Sequence, residues 1–307
     1  MKIGLSAGGT FDRMVEQVQE AEADGFDTMW FAGGIGMDPL TVIAAAGRAT
    51  DRIELGTSIV PTYPRHPTAM AQQTAAVQAA IGGDGNRFTL GIGVSHKPAV
   101  EDMLGIPYDR PGKNMREYLS VLRPLLHEGK VSFDGEFYNV RSQMGAPAAR
   151  PAPVLVAALA PVMLQAAGAL AEGTITWMAN AKAIESHISP LLRRAAADAG
   201  RDEPRIVVGL PVAVCDDASE GRSDAAKQFA GYGTLPNYQR VLAHGGCEGP
   251  GDAAVIGDEA SVRAQLQGLL DAGGTDVWAA VFPVGGDRRA SRTRTRALLQ
   301  ELAATSS

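Results

Sequence analysis

The stretch Glu54–Gly93, ELGTSIVPTYPRHPTAMAQQTAAVQAAIGGDGNRFTLGIG, decides the fold. It opens on a short apolar run, Glu54 to Ile59. His66-Pro67 then starts a helix that reaches about Ile81, with proline at a favourable first-turn position. The turn residues Gly82-Gly83-Asp84-Gly85-Asn86 end it, and Phe88 to Gly93 is a second apolar run. Strand, helix, strand in that order is a unit whose two strands lie parallel. The pattern continues outward in both directions. Lys2 to Ser6 and Thr28 to Phe31 are strands. A helix from Phe11 to Asp24, with Phe11, Met14, Val15, Val18 and Ala21 at helical spacing and Gly25 at its end, separates them. Asp38-Pro39 caps and starts a helix through Ala49. After Gly93 come Val154 to Ala158, a helix from Pro161, and Thr174 to Trp177. Then follow a helix Ile184 to Ala199, the strand Ile206 to Val214, a helix Ser261 to Asp271, the strand Asp276 to Phe282 and a helix Ser291 to Ala304. Eight apolar strands, each followed by helical sequence, predict an α/β fold. In about 300 residues a closed (β/α)8 TIM barrel fits better than an open doubly wound sheet. Two insertions interrupt it. After strand 4, Ser95 to Pro111 is irregular, a helix runs Asn114 to Leu126, and Val131 to Tyr138 reads as a hairpin turning at Asp134-Gly135. After strand 7, Gly231 to Asp252 is rich in Gly, Pro and Asn. No linker breaks the alternation, so residues 1–307 read as one domain.

The composition narrows the class. Of 307 residues 45% are hydrophobic and 20% charged, which suits a globular chain and excludes disorder and coiled coil. The net charge of −6, without a basic stretch beyond a short Arg-rich C-terminal helix, speaks against nucleic acid as a partner. The two cysteines, Cys215 and Cys247, fit neither a disulfide framework nor a metal-binding spacing and point to a reducing, cytoplasmic setting. Pro153 to Ala171 carries no charge, yet Pro161 splits it into a buried strand and a helix, so no membrane span is expected. Met1-Lys2 runs straight into the first strand, with no apolar core of signal-peptide length. The 36 glycines demand tight turns or close backbone approaches.

In a barrel of this kind the active site lies at the C-terminal ends of the strands. There the chain carries Ser6-Ala7, Ala32-Gly33-Gly34, Ser58-Ile59-Val60, Val94-Ser95-His96, Leu159-Ala160, Trp177-Met178 and Phe282-Pro283. Acids are absent from this set. No HExxH, no cluster of metal ligands and no phosphate-binding Gly-Lys-Ser/Thr loop occurs, and Gly91-Ile92-Gly93 is too short for a dinucleotide fingerprint. A mouth lined by glycine and weakly polar residues suits a flat redox cofactor that brings its own chemistry. Gly33, Gly34, Gly56 and Gly93 would offer it bare backbone. A metal-dependent barrel hydrolase lacks ligands here.

The segments Leu55–Pro61, Arg65-His66-Pro67 and Ala71-Gln72-Gln73 resemble the third βα unit of the luciferase-like monooxygenase superfamily. Arg87–Gly93 resembles the fourth strand, Pro153–Ala158 the fifth, and Gly257–Gly273 with Asp276 the last unit. Within it the chain is most similar to coenzyme F420-dependent, methylenetetrahydromethanopterin reductase-like oxidoreductases. The resemblance implies a deazaflavin ring leaning on a bulge after strand 3, with a cis peptide at Ser58-Ile59. It implies a cofactor shell of Ser6, Gly33, Ser58, Ile59, Val94, Ser95, Ala158, Leu159, Ala160, Val162, Thr176 and Trp177, with the phosphate at the helix start around Leu159, Ala160 and Val162. Trp177 has a second reading as plain core. His96, just past strand 4, is the candidate for catalysis, as hydrogen-bond or proton donor to the substrate; the other reading is a surface loop histidine. His66 also starts its helix, and Arg65 or Lys97 would meet an anionic tail. Many deazaflavin members carry an Asp-His pair after strand 2, where this chain has Ala32-Gly33-Gly34. That departure argues against sugar-phosphate dehydrogenation and leaves room for a bulkier substrate bounded by Gly33, Gly34, Ser95 to Pro111 and Tyr232 to His244. The expectation is hydride transfer between coenzyme F420 and a small organic substrate. The alternatives are an FMN-dependent monooxygenase and a non-catalytic deazaflavin-binding protein. The family also implies a homodimer, to which small-residue faces at Ala44–Ala49 and Ala71–Ala80 would contribute.

Overall fold

The computed structural model describes residues 1–34, 36–82, 87–145 and 148–305. The expected turn Gly83 to Asn86 lies outside them. Eight parallel strands close a barrel: β1 Ile3–Ala7, β2 Thr28–Phe31, β3 Glu54–Thr57, β4 Phe88–Gly93, β5 Val154–Val156, β6 Gly173–Trp177, β7 Arg205–Val214 and β8 Asp276–Val281. Each pairs with the next, and β8 returns to β1 through Ile3↔Val277, Gly4↔Trp278 and Leu5↔Ala279. Helices surround it, so both faces of the strands are covered and the runs are apolar throughout. The helix starts follow from local chemistry. Asp38 accepts the Thr41 N–H at 2.9 Å ahead of Pro39, and His66 accepts the Thr68 N–H at 3.3 Å ahead of Pro67.

The barrel interior is layered. At the N-terminal end, the Arg205 guanidinium donates to Glu54 at 2.6 and 3.1 Å and to Asp276 at 2.7 to 3.1 Å. Lys2 adds contacts of 2.9 and 3.1 Å to the same two carboxylates. Thr89 donates to Glu54 at 2.5 Å. Burial raises the pKa of both carboxyls, but the charge and hydrogen bonds of Arg205 outweigh it and hold Glu54 and Asp276 below their ordinary range. Above this layer lies Trp30, fully buried under the Arg205 guanidinium, 5.7 Å from its ring centre. Trp278, Ile175, Leu155 and Val207 pack with it. Glycines make the room. A Cβ on Gly56 would sit 2.3 Å from the Trp30 ring, and one on Gly209 2.2 Å from Trp278. Gly56 therefore serves the core and offers no bare backbone to a ligand.

Several boundaries differ from the sequence reading. β3 stops at Thr57 because the Thr57 hydroxyl takes the place of the ladder, donating to Gly91 O at 2.7 Å and accepting Gly91 N–H at 2.8 Å. Ser58-Ile59 is a cis peptide, and Val60–Pro61 resumes pairing beside β4. The hairpin is longer than expected, Lys130–Asp134 against Asn139–Gln143, and turns through a four-residue loop. Glu117 sets that loop by accepting the N–H groups of Glu136, Phe137 and Tyr138 at 2.7 to 3.3 Å. After β7 a helix Ala218–Gln228 precedes the expected insertion Gly231 to Asp252, which is itself largely helical, with Pro236–His244 and a short turn Pro250–Ala253, and Val255–Gly257 pairs with the end of β7 outside the barrel. The helix expected from Ile184 begins at Ala181 and passes through a π-turn, Ile184–Ile188, before Pro190. Among the described residues no helix is long and apolar enough to cross a membrane.

Candidate active site at the barrel mouth

A cavity of about 750 Å³ opens at the C-terminal ends of the strands. All twelve residues of the expected cofactor shell line it. Ser6 comes from β1, Gly33 from the loop after β2, and Ser58 and Ile59 from the cis bulge. Val94, Ser95 and His96 follow β4. Ala158, Leu159, Ala160 and Val162 lead into helix Pro161–Leu170, and Thr176 and Trp177 end β6. Gly93 lines it as well; Gly34 and Met178 do not, and Phe282 is buried against Phe229.

One wall is backbone. Gly33 N–H donates to Ile59 O at 2.9 Å, and a Cβ on Gly33 would fall 2.4 Å from that oxygen. The Ser58 hydroxyl is buried beside it without a protein partner. Helix Pro161–Leu170 starts at Ala160 without a side-chain cap, and its Val162 is 55% exposed at the cavity. Pro161 has no N–H, and the Met163 and Leu164 N–H groups donate to Ala160 O at 3.0 and 2.9 Å, so the Val162 N–H is left to meet a phosphate. These features fit a flat ring with polar edges and an anionic substituent. Positive φ angles concentrate around the same space, at Ser95 (60°) and Arg110 (40°) on its lining and at Met178 (62°) just behind Trp177. Residues other than glycine rarely adopt this conformation unless the surroundings enforce it.

Another part of the lining is aromatic. Trp177 lies 4.9 Å from Trp278 and 5.8 Å from Tyr232, Tyr232 lies 4.9 Å from Tyr238, and Tyr238 lies 5.5 Å from His96. Trp177 thus packs in an aromatic cluster and faces the cavity at once. Burial pushes the His96 pKa down, so its ring is neutral at neutral pH. Such a ring accepts a proton or donates an N–H hydrogen bond; it is no standing imidazolium acid. No protein hydrogen bond reaches it among the described residues.

The lining holds no carboxylate among the described residues. Its cations are Arg110, Lys113 and Arg240. Glu136 binds both Arg110 nitrogens and, at 2.5 Å, Lys113. Arg240 donates to Asn237 Oδ1 at 2.6 Å. Arg65 and Lys97, the expected cations, lie elsewhere: Arg65 pairs with Asp38 at 2.7 Å and Lys97 with Glu101 at 3.5 Å. Sequence reasoning also missed Trp278 and Ala280, although a usable signal existed. Asp276, Trp278 and Ala280 alternate along β8, so one inward face carries all three. No trio of His, Cys, Asp or Glu able to hold a metal occurs among the described residues.

These features define an eight-stranded parallel barrel with a backbone bulge and a cavity of about 750 Å³ at its mouth. The chain belongs to the luciferase-like monooxygenase family, whose model matches residues 2–306. It is 31% identical over 261 residues, 80% of this chain and 76% of the other, to an uncharacterised protein of Mycobacterium tuberculosis. Its fold matches a coenzyme F420-dependent tetrahydromethanopterin reductase from Methanopyrus kandleri (TM-score 0.78, 21% identity, 98% of this chain and 96% of that one). It also matches the oxygenating constituent of 3,6-diketocamphane monooxygenase from Pseudomonas putida, in complex with FMN (TM-score 0.73, 17% identity, 99% and 97%).

Proposed function

We propose that the protein is a coenzyme F420-dependent oxidoreductase that moves a hydride between the deazaflavin and a small organic substrate. One observation carries the reading. The mouth sets a bare-backbone wall at Gly33, Ser58 and Ile59 against a lining without carboxylates, so the electron chemistry has to arrive with a bound ring. When bound, the deazaflavin supplies the two-electron hydride chemistry that no side chain of the mouth possesses. The chain's residues position it. Gly33 and the Ser58-Ile59 bulge would back the ring, the Ser58 hydroxyl would meet a polar edge, and the Val162 N–H at the helix start would receive the phosphate. Neutral His96 accepts the proton of a substrate hydroxyl at a ring nitrogen during oxidation and returns it during reduction. The resemblance to F420-dependent, methylenetetrahydromethanopterin reductase-like oxidoreductases supports the deazaflavin over FMN, and the same resemblance supports a homodimer.

The test is titration of the purified protein with oxidised F420 and, separately, FMN. Micromolar quenching of deazaflavin fluorescence without retained FMN is the expected result. Copurified FMN overturns it in favour of a monooxygenase. Tight F420 binding without hydride exchange across a panel of alcohols, enones and imines marks a binding protein instead. Light scattering at micromolar concentration tests the dimer.

A further inference from the structure

The two halves of the mouth divide the positive charge. On the β4–β5 side, Arg110 and Lys113 flank the uncapped helix start, where Gly112 approaches Val162 so closely that a Cβ on it would sit 2.6 Å from the valine. Their two charges are met by two carboxylates, Glu136 on both residues and Asp109 on Arg110 at 3.0 Å. On the β7 side stands Arg240, exposed, on helix Pro236–His244. It has no carboxylate partner among the described residues, and Asn237, one turn earlier, ties its guanidinium at 2.6 Å. The same helix carries Tyr238, and Tyr232 precedes it, so the two tyrosines of the aromatic lining and Arg240 belong to one insertion.

We infer that the substrate is a planar, apolar molecule bearing one anionic group, its flat part against Tyr232, Tyr238 and Trp177 and its anion on Arg240. This rests on the function proposed above, because the cofactor ring must take the bulge at Gly33 and Ile59 and leave the aromatic part of the lining to the substrate. The chemistry of the lining supports it. Ring contacts favour flat partners in stacked or edge-on packing, each worth about 0.5–1.5 kcal/mol beyond area burial. Without carboxylates in the lining an anion meets no like charge, whereas a cationic substrate meets three cations. A guanidinium binds a carboxylate through a charge-assisted fork, stronger than a neutral hydrogen bond.

Calorimetry on the full chain, with and without F420, separates the two ideas. The probes are trans-cinnamate, cinnamyl alcohol (the same ring without charge) and hexanoate (the charge without a ring). Cinnamate is expected to bind at least about tenfold more tightly than either. Arg240→Gln abolishes the preference over the alcohol, Arg240→Lys restores part of it, and Tyr232→Leu weakens cinnamate and cinnamyl alcohol alike. Arg240 and Tyr232 lie on the outer insertion, so these variants keep the barrel, and F420 affinity is the control. Equal binding of cinnamate and its alcohol, or an unchanged ratio in Arg240→Gln, overturns the inference. Equal binding of hexanoate removes the ring requirement and overturns it too. Loss of F420 affinity in Arg240→Gln assigns that residue to the cofactor and defeats the inference. Absence of F420 binding to the wild type, with the probe preferences intact, defeats the functional reading alone.

Discussion

The two ends of this barrel solve opposite problems. At the N-terminal end the charges inside the barrel answer one another. Arg205 sits between Glu54 and Asp276, Lys2 reaches both carboxylates, and Thr89 closes the set. At the C-terminal end the lining holds, among the described residues, a buried hydroxyl without a partner, an imidazole without a hydrogen bond, and two residues held at positive φ. A saturated polar layer is a lock, because opening it strands charges. An unsaturated one is a site, because a ligand completes it. Between them Trp30 and Trp278 form a solid partition, made possible by glycines on the neighbouring strands.

The sharpest break of this contrast is Arg205→Met. It leaves Glu54 and Asp276 buried and facing each other with only Lys2 to answer them. Breaking one partner of such a set costs about 3–5 kcal/mol, and the melting temperature should fall by roughly 10 °C. F420 affinity of the folded fraction should not change. The acid limb should change as well. Both carboxyls have folded pKa values below their unfolded ones, so their stabilisation is present above about pH 4.5 and is lost as the pH falls through the lowered values. Urea midpoints between pH 3 and pH 7 should therefore fall steeply for the wild type below pH 4.5 and less steeply for Arg205→Met. An unmoved melting temperature would show that the layer locks nothing.

The glycines offer a paired test of smaller size. Gly33→Ala and Gly56→Ala each place a methyl where none fits, the first 2.4 Å from Ile59 O at the mouth, the second 2.3 Å from Trp30 in the core. Both should cost about 1–3 kcal/mol of stability. Only Gly33→Ala should also cost F420 affinity, by an order of magnitude or more, since it displaces the bulge. Equal losses of affinity in both variants would mean that the partition does not insulate the mouth.

That pair also marks how far the sequence was legible. Strand order, helix starts at Asp38-Pro39 and His66-Pro67, and the gathering of strand-end residues on one cavity all follow from local pattern, because alternation and capping are local. Gly56 was assigned to the mouth and belongs to the core. Its neighbour Trp30 comes from another strand, and only the inward phase of both strands joins them. The cations were misplaced for a related reason. Arg240 and Arg110 sit on insertions read as irregular, and the helical turn that aims Arg240 at the cavity cannot be seen when the helix itself is missed. The hairpin loop depended on Glu117, whose carboxylate sits about twenty residues away in sequence and bonds the loop N–H groups directly.

The smallest expected effect concerns His96. Burial alone lowers its pKa, so the unfolded chain binds the proton more readily than the folded one. The histidine therefore leaves stability untouched above about pH 6.5 and subtracts from it as the pH falls below that value, by at most about 1.4 kcal/mol per pH unit. His96→Gln should flatten the stability curve between pH 6.5 and pH 5.5, a window above the one in which Glu54 and Asp276 titrate. Comparing variant with wild type cancels the other titrating histidines, His127 and His244, whose pKa values are also lowered. Parallel urea midpoints at pH 5.5, 6.5 and 7.5 would show that His96 is not held neutral by the fold. Midpoints that differ between the two proteins by a pH-dependent amount, with His96→Gln free of the acid loss, would place an uncharged imidazole at the end of the aromatic wall. That is the protonation state a base for substrate oxidation requires, at the end of the barrel where polar groups are left unanswered.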